Sequence, residues 1–174
     1  MIPIKTKEEI EKMKEGGKIL AKILEEIKKA ILKSGESFKE IEGIGLCGSL
    51  ARGDFSSKSD IDIFIVIPEG LSEREAWLTW NKKLREFLKD FERDITVLIY
   101  SLKSLREISS WYVLRLASEG QLIYDRDGKV ETLFKKIIQV AKKAGLTEEE
   151  IHGHKYWIKK DLKIGKTFEI RVNE

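Results

Sequence analysis

Gly43-Ile44-Gly45-Leu46-Cys47-Gly48-Ser49-Leu50-Ala51-Arg52-Gly53-Asp54 and, four residues on, Ser59-Asp60-Ile61-Asp62-Ile63-Phe64-Ile65-Val66-Ile67 decide the fold. The apolar, Gly-punctuated run from 43 to 47 predicts a buried strand. The run from Ile61 to Ile67 is rich in β-branched residues and is stopped by Pro68 and Gly70, which predicts a second. The small polar segment between them, Gly48 to Ser59, predicts a turn that opens a short helix.

Downstream, Ser72 can cap a helix from about Glu73 to Phe91. Asp94 to Tyr100 alternates as a third strand. Ser104 to Glu119 predicts one helix ended by Gly120, and Leu122 to Tyr124 a short fourth strand. Asp125 to Gly128 is a turn, Val130 to Ala144 a helix ended by Gly145, and Thr147 a cap for a further helix from Glu148. The tail from Asp161 to Glu174 is expected to be extended or partly disordered. Upstream, Ile10, Met13, Gly17, Leu20, Leu24, Ile27 and Ile31 fall on one face of a helix over residues 7 to 33, with Thr6 as N-cap. The expected class is α/β (α+β): a main domain over residues 1–125, helix 7–33 included, with a C-terminal helical extension and tail over 126–174 as part of the same domain.

Composition narrows the function classes. The 174 residues are 41% hydrophobic and 36% charged, and 33 basic against 30 acidic residues leave a net charge of +3. That balance neither demands nor excludes a nucleic-acid partner. A single cysteine, Cys47, excludes an internal disulfide and a Cys-based zinc site. No apolar run is long enough to cross a bilayer. A soluble protein of the reducing cytoplasm is expected.

The chemistry lies in the opening stretch. Asp60 and Asp62 are two apart at a strand start, so both carboxylates face the same side. Two such groups repel unless a cation lies between them, and Mg²⁺ is held by one or two carboxylates plus substrate phosphates. Asp94 opens the next strand and shares that end if the two strands run side by side in one direction. Three carboxylates at one edge suit two metal ions about 4 Å apart, the spacing used in phosphoryl transfer. Gly48 leaves room for a phosphate to approach the backbone. The Ser49 hydroxyl can donate to a phosphate oxygen, and Arg52 can add a charge-assisted bond. Any one of these features alone is ordinary: a solvated strand edge or a helix cap. Their succession is not.

Gly48-Ser49-x-Ala51-Arg52-Gly53, then Ser59-Asp60-Ile61-Asp62, then Asp94 on a later strand resembles the signature of nucleotidyltransferases of the DNA polymerase beta superfamily, above all their minimal nucleotidyltransferase branch. Ala117-Ser118-Glu119-Gly120-Gln121-Leu122-Ile123-Tyr124-Asp125 is similar to that branch as well. The resemblance implies a small mixed sheet flanked by helices. It implies two Mg²⁺ ions on Asp60 and Asp62, with Asp94 on the catalytic metal. Gly48 and Ser49 would bind the β- and γ-phosphates, with Arg52 and Lys58 as weaker phosphate candidates. The implied reaction is transfer of a nucleoside monophosphate, with ATP the expected donor, and release of pyrophosphate. The branch is linked to a helical HEPN-type protein partner, which makes a protein hydroxyl the first expectation for the acceptor, with a small molecule such as an aminoglycoside or an RNA end left open. The alternative is an antitoxin-like module that binds such a partner with little or no turnover. A homodimer contact through the residues after Gly128 is compatible with the sequence.

Other residues point less sharply. His152 and His154 would point apart on a helix, against a shared metal. Cys47 reads as a core residue, and Trp77 and Trp80 as core at helical spacing. Trp111, Tyr112, Tyr156 and Trp157 are aromatic candidates for stacking on a nucleobase that the sequence does not place.

Overall fold

The computed structural model describes residues 39–55, 59–151, 154–162 and 167–173, with positions 6, 7, 25, 26, 29 and 32. The helix expected over residues 7 to 33 lies mostly outside these; its described positions 7, 25, 26, 29 and 32 are helical. Lys58 and His152 lie outside the described residues too.

Strand β1 (Gly43–Cys47) is buried along its whole length and pairs antiparallel with β2 (Ile61–Ile67) on one side and β4 (Gln121–Asp125) on the other. β2 in turn pairs in parallel with β3 (Ile95–Ser101), giving the order β3-β2-β1-β4. The sheet is therefore mixed, as expected. The parallel pair needs a crossover, and helix α2 (Glu73–Phe87) supplies it. Ser72 caps α2 by accepting from the Glu75 N–H at 3.4 Å. A 3₁₀ turn (Lys89–Phe91) then leads into β3.

Both faces of the sheet are covered, so its central strands read as continuous apolar runs rather than alternating ones. Ile44, Leu46, Ile61, Ile63, Ile65 and Ile67 pack with Trp80, Leu84 and Leu88 on one face. Phe64 and Val66 pack on the other with Val113, Leu116, Val130 and Phe134. That second face is closed by helices α4 (Trp111–Glu119) and α5 (Lys129–Lys143). Gly45 makes room for the Phe64 ring, which a Cβ there would strike.

Asp125 anchors α5. Its carboxylate accepts from the N–H groups of Val130 at 3.1 Å and Glu131 at 2.8 Å. On the outer strand β3, Trp77 donates from Nε1 to the Val97 carbonyl at 3.1 Å and Arg85 reaches the Ile95 carbonyl at 3.5 Å. Trp80 is core as expected, whereas Trp77 is 42% exposed.

Two expectations need correction. The single helix over Ser104 to Glu119 is two: α3 (Leu102–Arg106) and α4. The break is at Ile108, whose φ of 43° no helix tolerates. The helix after Thr147 is instead a hairpin, β5 (Thr147–Ile151) with β6 (His154–Ile158). Its acidic strand faces a basic and aromatic one, with ion pairs Lys155–Glu148 (3.7 Å) and Lys160–Glu149 (2.7 Å). Cross-strand pairing of opposite charges outweighs the helical preference of three glutamates. The tail is without helix or strand where described, in keeping with the extended reading, and Val172 is buried, its N–H donating to the Arg106 carbonyl at 2.9 Å.

Candidate active site

The end of β1 and the starts of β2 and β3 meet at one sheet edge. Cys47 is the register partner of Asp62, so Gly48 leaves β1 directly beside the Asp62 carboxylate. Gly48 has φ +68°, and a Cβ there would collide with the Asp62 carboxylate. Glycine is thus required twice, by conformation and by contact. Gly48 opens helix α1 (Gly48–Arg52), which has only five residues. So short a helix has little dipole, and the arginines around it matter more for an anion than its N-terminus.

The parallel register aligns Ile61 with Ile95 and Asp62 with Thr96. The Ile61 N–H donates to the Asp94 carbonyl at 2.8 Å, which sets Asp94 level with Asp60. The condition set by the sequence, two parallel neighbouring strands, is met. Arg93 steadies the approach by donating to the Ser59 carbonyl at 2.9 Å. The acids are not clustered, however. Among the described residues no three Asp, Glu, His or Cys side chains gather as a ready metal site. Thr96 instead hydrogen-bonds Asp62.

Asp62 is half-buried. Burial and the nearby Asp60 charge push its pKa above the usual 3.8, against the Thr96 bond and the Arg52 charge. A partly desolvated carboxylate beside a second one is a hard-oxygen donor set that a divalent cation relieves. Asp60 and Asp62 therefore fit such an ion on the chemistry of their side chains.

A cavity of about 370 Å³ opens over this edge, lined by Gly48, Ser49, Arg52, Asp62, Arg115 and Glu119, with Cys47, Tyr112 and Leu116 behind them. Four of its lining residues, Tyr112, Arg115, Leu116 and Glu119, recur on α4 at three- and four-residue spacing, so one helical stripe forms the wall. Burial opposes the Arg52 charge, but Asp54 at 3.0 Å and Glu119 at 3.5 Å outweigh it and push its pKa up. Gln121 donates to the Ala51 carbonyl at 2.6 Å and ties the end of α1 to β4. Tyr112 donates to the Cys47 sulfur at 3.6 Å. Burial pushes the Cys47 thiol up to about 12, so it stays protonated and is no nucleophile. Burial and then Cys47 push the Tyr112 hydroxyl up too.

Of the residues singled out in the sequence, Gly48, Ser49, Arg52 and Asp62 line this cavity, while Asp60 and Asp94 lie at the same edge, both exposed. His154 opens β6, away from this edge in sequence and sheet. Sequence reasoning missed Arg115 and Glu119. Their spacing with Tyr112 and Leu116 was the available signal: polar groups sharing a helix face with a buried leucine.

A search of curated proteins returns no match. Among solved structures, a toxin–antitoxin with AMP-PNP is 19% identical, with 67% of this chain and 87% of that one covered and a TM-score of 0.48. The toxin–antitoxin MntA–HepT is 17% identical, with 67% and 86% covered and a TM-score of 0.43. A family model described as "Nucleotidyltransferase domain" matches residues 20–164, a span that holds every strand and helix lining the cavity. This chain belongs to that nucleotidyltransferase domain family.

Proposed function

We propose that the chain transfers a nucleoside monophosphate from an NTP, with ATP as donor, to an acceptor hydroxyl. The observation that carries this reading is the seating of Asp62 beneath Gly48 in a cavity also lined by Ser49, Arg52 and Arg115. Polyphosphate needs backbone access, a hydroxyl donor and guanidinium groups, and the metal that accompanies it needs a carboxylate within reach.

In this reading Gly48, Ser49 and Arg52 bind the β- and γ-phosphates, with Lys58 as a further contact. Asp60 and Asp62 hold Mg²⁺ and Asp94 completes the set; when bound, the metal neutralises charge on the phosphates. The acceptor hydroxyl gives its proton to water as its oxygen bonds to the α-phosphorus and the bond to the bridging oxygen breaks, and pyrophosphate leaves with the electron pair. Residues in the cavity act by orientation and charge, with no covalent step on the protein.

The acceptor we propose is a protein, in keeping with the helical HEPN-type partner that the sequence resemblance implies. An apolar groove of about 380 Å³, lined by Trp111, Ile151, Tyr156, Trp157 and Ile158, adjoins the cavity and shares Arg115 with it. Exposed aromatics beside a charged site suit a protein surface better than a small polar acceptor.

The test is incubation with α-labelled ATP, Mg²⁺ and cell lysate. Label transfer to protein that vanishes in Asp60→Ala/Asp62→Ala is the expected result. Partner binding that persists in that variant, with no transfer by the parent chain, would establish the binding-module alternative instead.

A further inference from the structure

Glu119 is in an electrostatically poor position. It is the last residue of α4, where the helix carries partial negative charge and a carboxylate is disfavoured. It is also only 11% exposed. What holds it there is a pair of arginines: Arg52 of α1 at 3.5 Å and Arg115 one turn back on α4 at 3.6 Å, both meeting the same oxygen, Oε2. All three side chains line the cavity that holds Gly48, Ser49 and Asp62.

The distances matter. Arg52 bonds Asp54 at 3.0 Å, but both contacts to Glu119 are longer than a charge-assisted hydrogen bond, which runs at about 2.7–2.9 Å. One carboxylate oxygen between two guanidiniums satisfies neither fork. A phosphate presents several oxygens and more negative charge, and can engage each guanidinium bidentately. Exchange of Glu119 for phosphate is therefore favourable for both arginines. It leaves Glu119 free to turn toward solvent at the end of its helix.

We propose that Glu119 is a built-in stand-in for phosphate: it keeps Arg52 and Arg115 aimed into the cavity until the polyphosphate of an NTP displaces it, and it returns to help expel pyrophosphate. This rests on the transfer reading above and deepens it in two ways. It adds Arg115 to the phosphate-binding set, and it makes Glu119 a positioning residue that sets affinity and release. An internal competitor weakens binding in proportion to how well it holds the binding groups, as in any two-state exchange.

The test uses the full chain and inorganic tripolyphosphate, followed by calorimetry, with circular dichroism to confirm the fold of each variant. Glu119→Gln is expected to bind tripolyphosphate roughly 5- to 10-fold more tightly, since the competing charge is gone. Arg115→Ala is expected to bind about tenfold more weakly, with Arg115→Lys recovering part of the loss. In Arg115→Ala/Glu119→Gln part of the gain should disappear, because without Arg115 the Glu119 carboxylate competes for Arg52 alone. In transfer assays Glu119→Gln should lower KM for the NTP and lower kcat as pyrophosphate is retained. A merely structural role would not split the two constants this way.

Should Glu119→Gln not fold, the parent chain still decides. The Nε–H signals of Arg52 and Arg115 should shift as tripolyphosphate is added, and signals that stay in place overturn the exchange. Unchanged or weaker tripolyphosphate affinity in a folded Glu119→Gln also overturns it. If transfer still depends on Asp60 and Asp62 in that case, the transfer reading stands alone. A parent chain that neither binds tripolyphosphate nor transfers label removes both.

Discussion

At the scale of single residues, the site is built by Gly48 and Asp62. Gly48→Ala puts a Cβ at a left-handed φ, a strain of about 1–2 kcal/mol, and forces it onto the Asp62 carboxylate. The variant should melt at lower temperature and lose transfer activity; equal stability and activity would show that the close approach is unimportant. Asp62 yields a pH prediction. Its folded pKa lies above the unfolded value of 3.8, so its contribution to stability is fully present below that value and is lost as pH rises through the folded pKa. Deprotonated and without a cation, the group weighs against the fold; bound metal reverses this. Asp60→Asn removes the like charge and should lower the Asp62 pKa, read by carboxyl NMR titration of metal-free protein. No movement would mean that burial alone sets it. Gly48, Ser49, Arg52 and Asp62, which line the cavity, were legible in the sequence because they are neighbours along the chain, on a turn, its short helix and the strand that follows. Arg115 and Glu119 were not, because they stand 53 and 57 residues beyond Asp62; their spacing marks a shared helix face, but only tertiary packing brings that face to this cavity.

At the scale of elements, α1 is too short to hold itself. Five residues give few internal hydrogen bonds, so the helix depends on outside contacts. Gln121 supplies one, and Gln121→Ala should lower stability by about 1 kcal/mol through the orphaned Ala51 carbonyl. Because Arg52 ends α1, NTP affinity should fall with it; a variant with unchanged KM would show that α1 is held in place by other contacts. The strands were legible because their apolar runs are strand-length and bounded by Gly and Pro. β1 and β2 begin and end where the sequence places them. The hairpin β5–β6 was not, since Thr147-Glu-Glu-Glu has a helix-start composition and its strand partner lies outside any local window. Nor was the break at Ile108: a β-branched residue with positive φ has no sequence signature.

At the scale of the whole molecule, stability rests on a sheet covered on both faces, and Phe64 sits where β1, β2, α4 and α5 converge. Its ring lies over Gly45, approaches Gly120 and meets Phe134 at 5.8 Å between centroids. Phe64→Ala should cost about 3–5 kcal/mol in chemical denaturation; a loss below 1 kcal/mol would mean that this face packs less tightly around the ring than its contacts indicate. The mixed sheet was legible as an α/β order, but its strand order was not, because β4 returns to β1 rather than extending the parallel pair. Its outer strand β3 carries one last consequence. With the Val97 and Ile95 carbonyls already taken by Trp77 and Arg85, that margin is poorly suited to recruit a strand from another molecule. Trp77→Ala should leave the monomer folded yet make concentrated solutions prone to ordered polymerisation, visible as slow growth in light scattering. Clear solutions of that variant would assign the indole a purely local duty. A residue that looks like a misplaced surface hydrophobe would then be what keeps neighbouring copies apart.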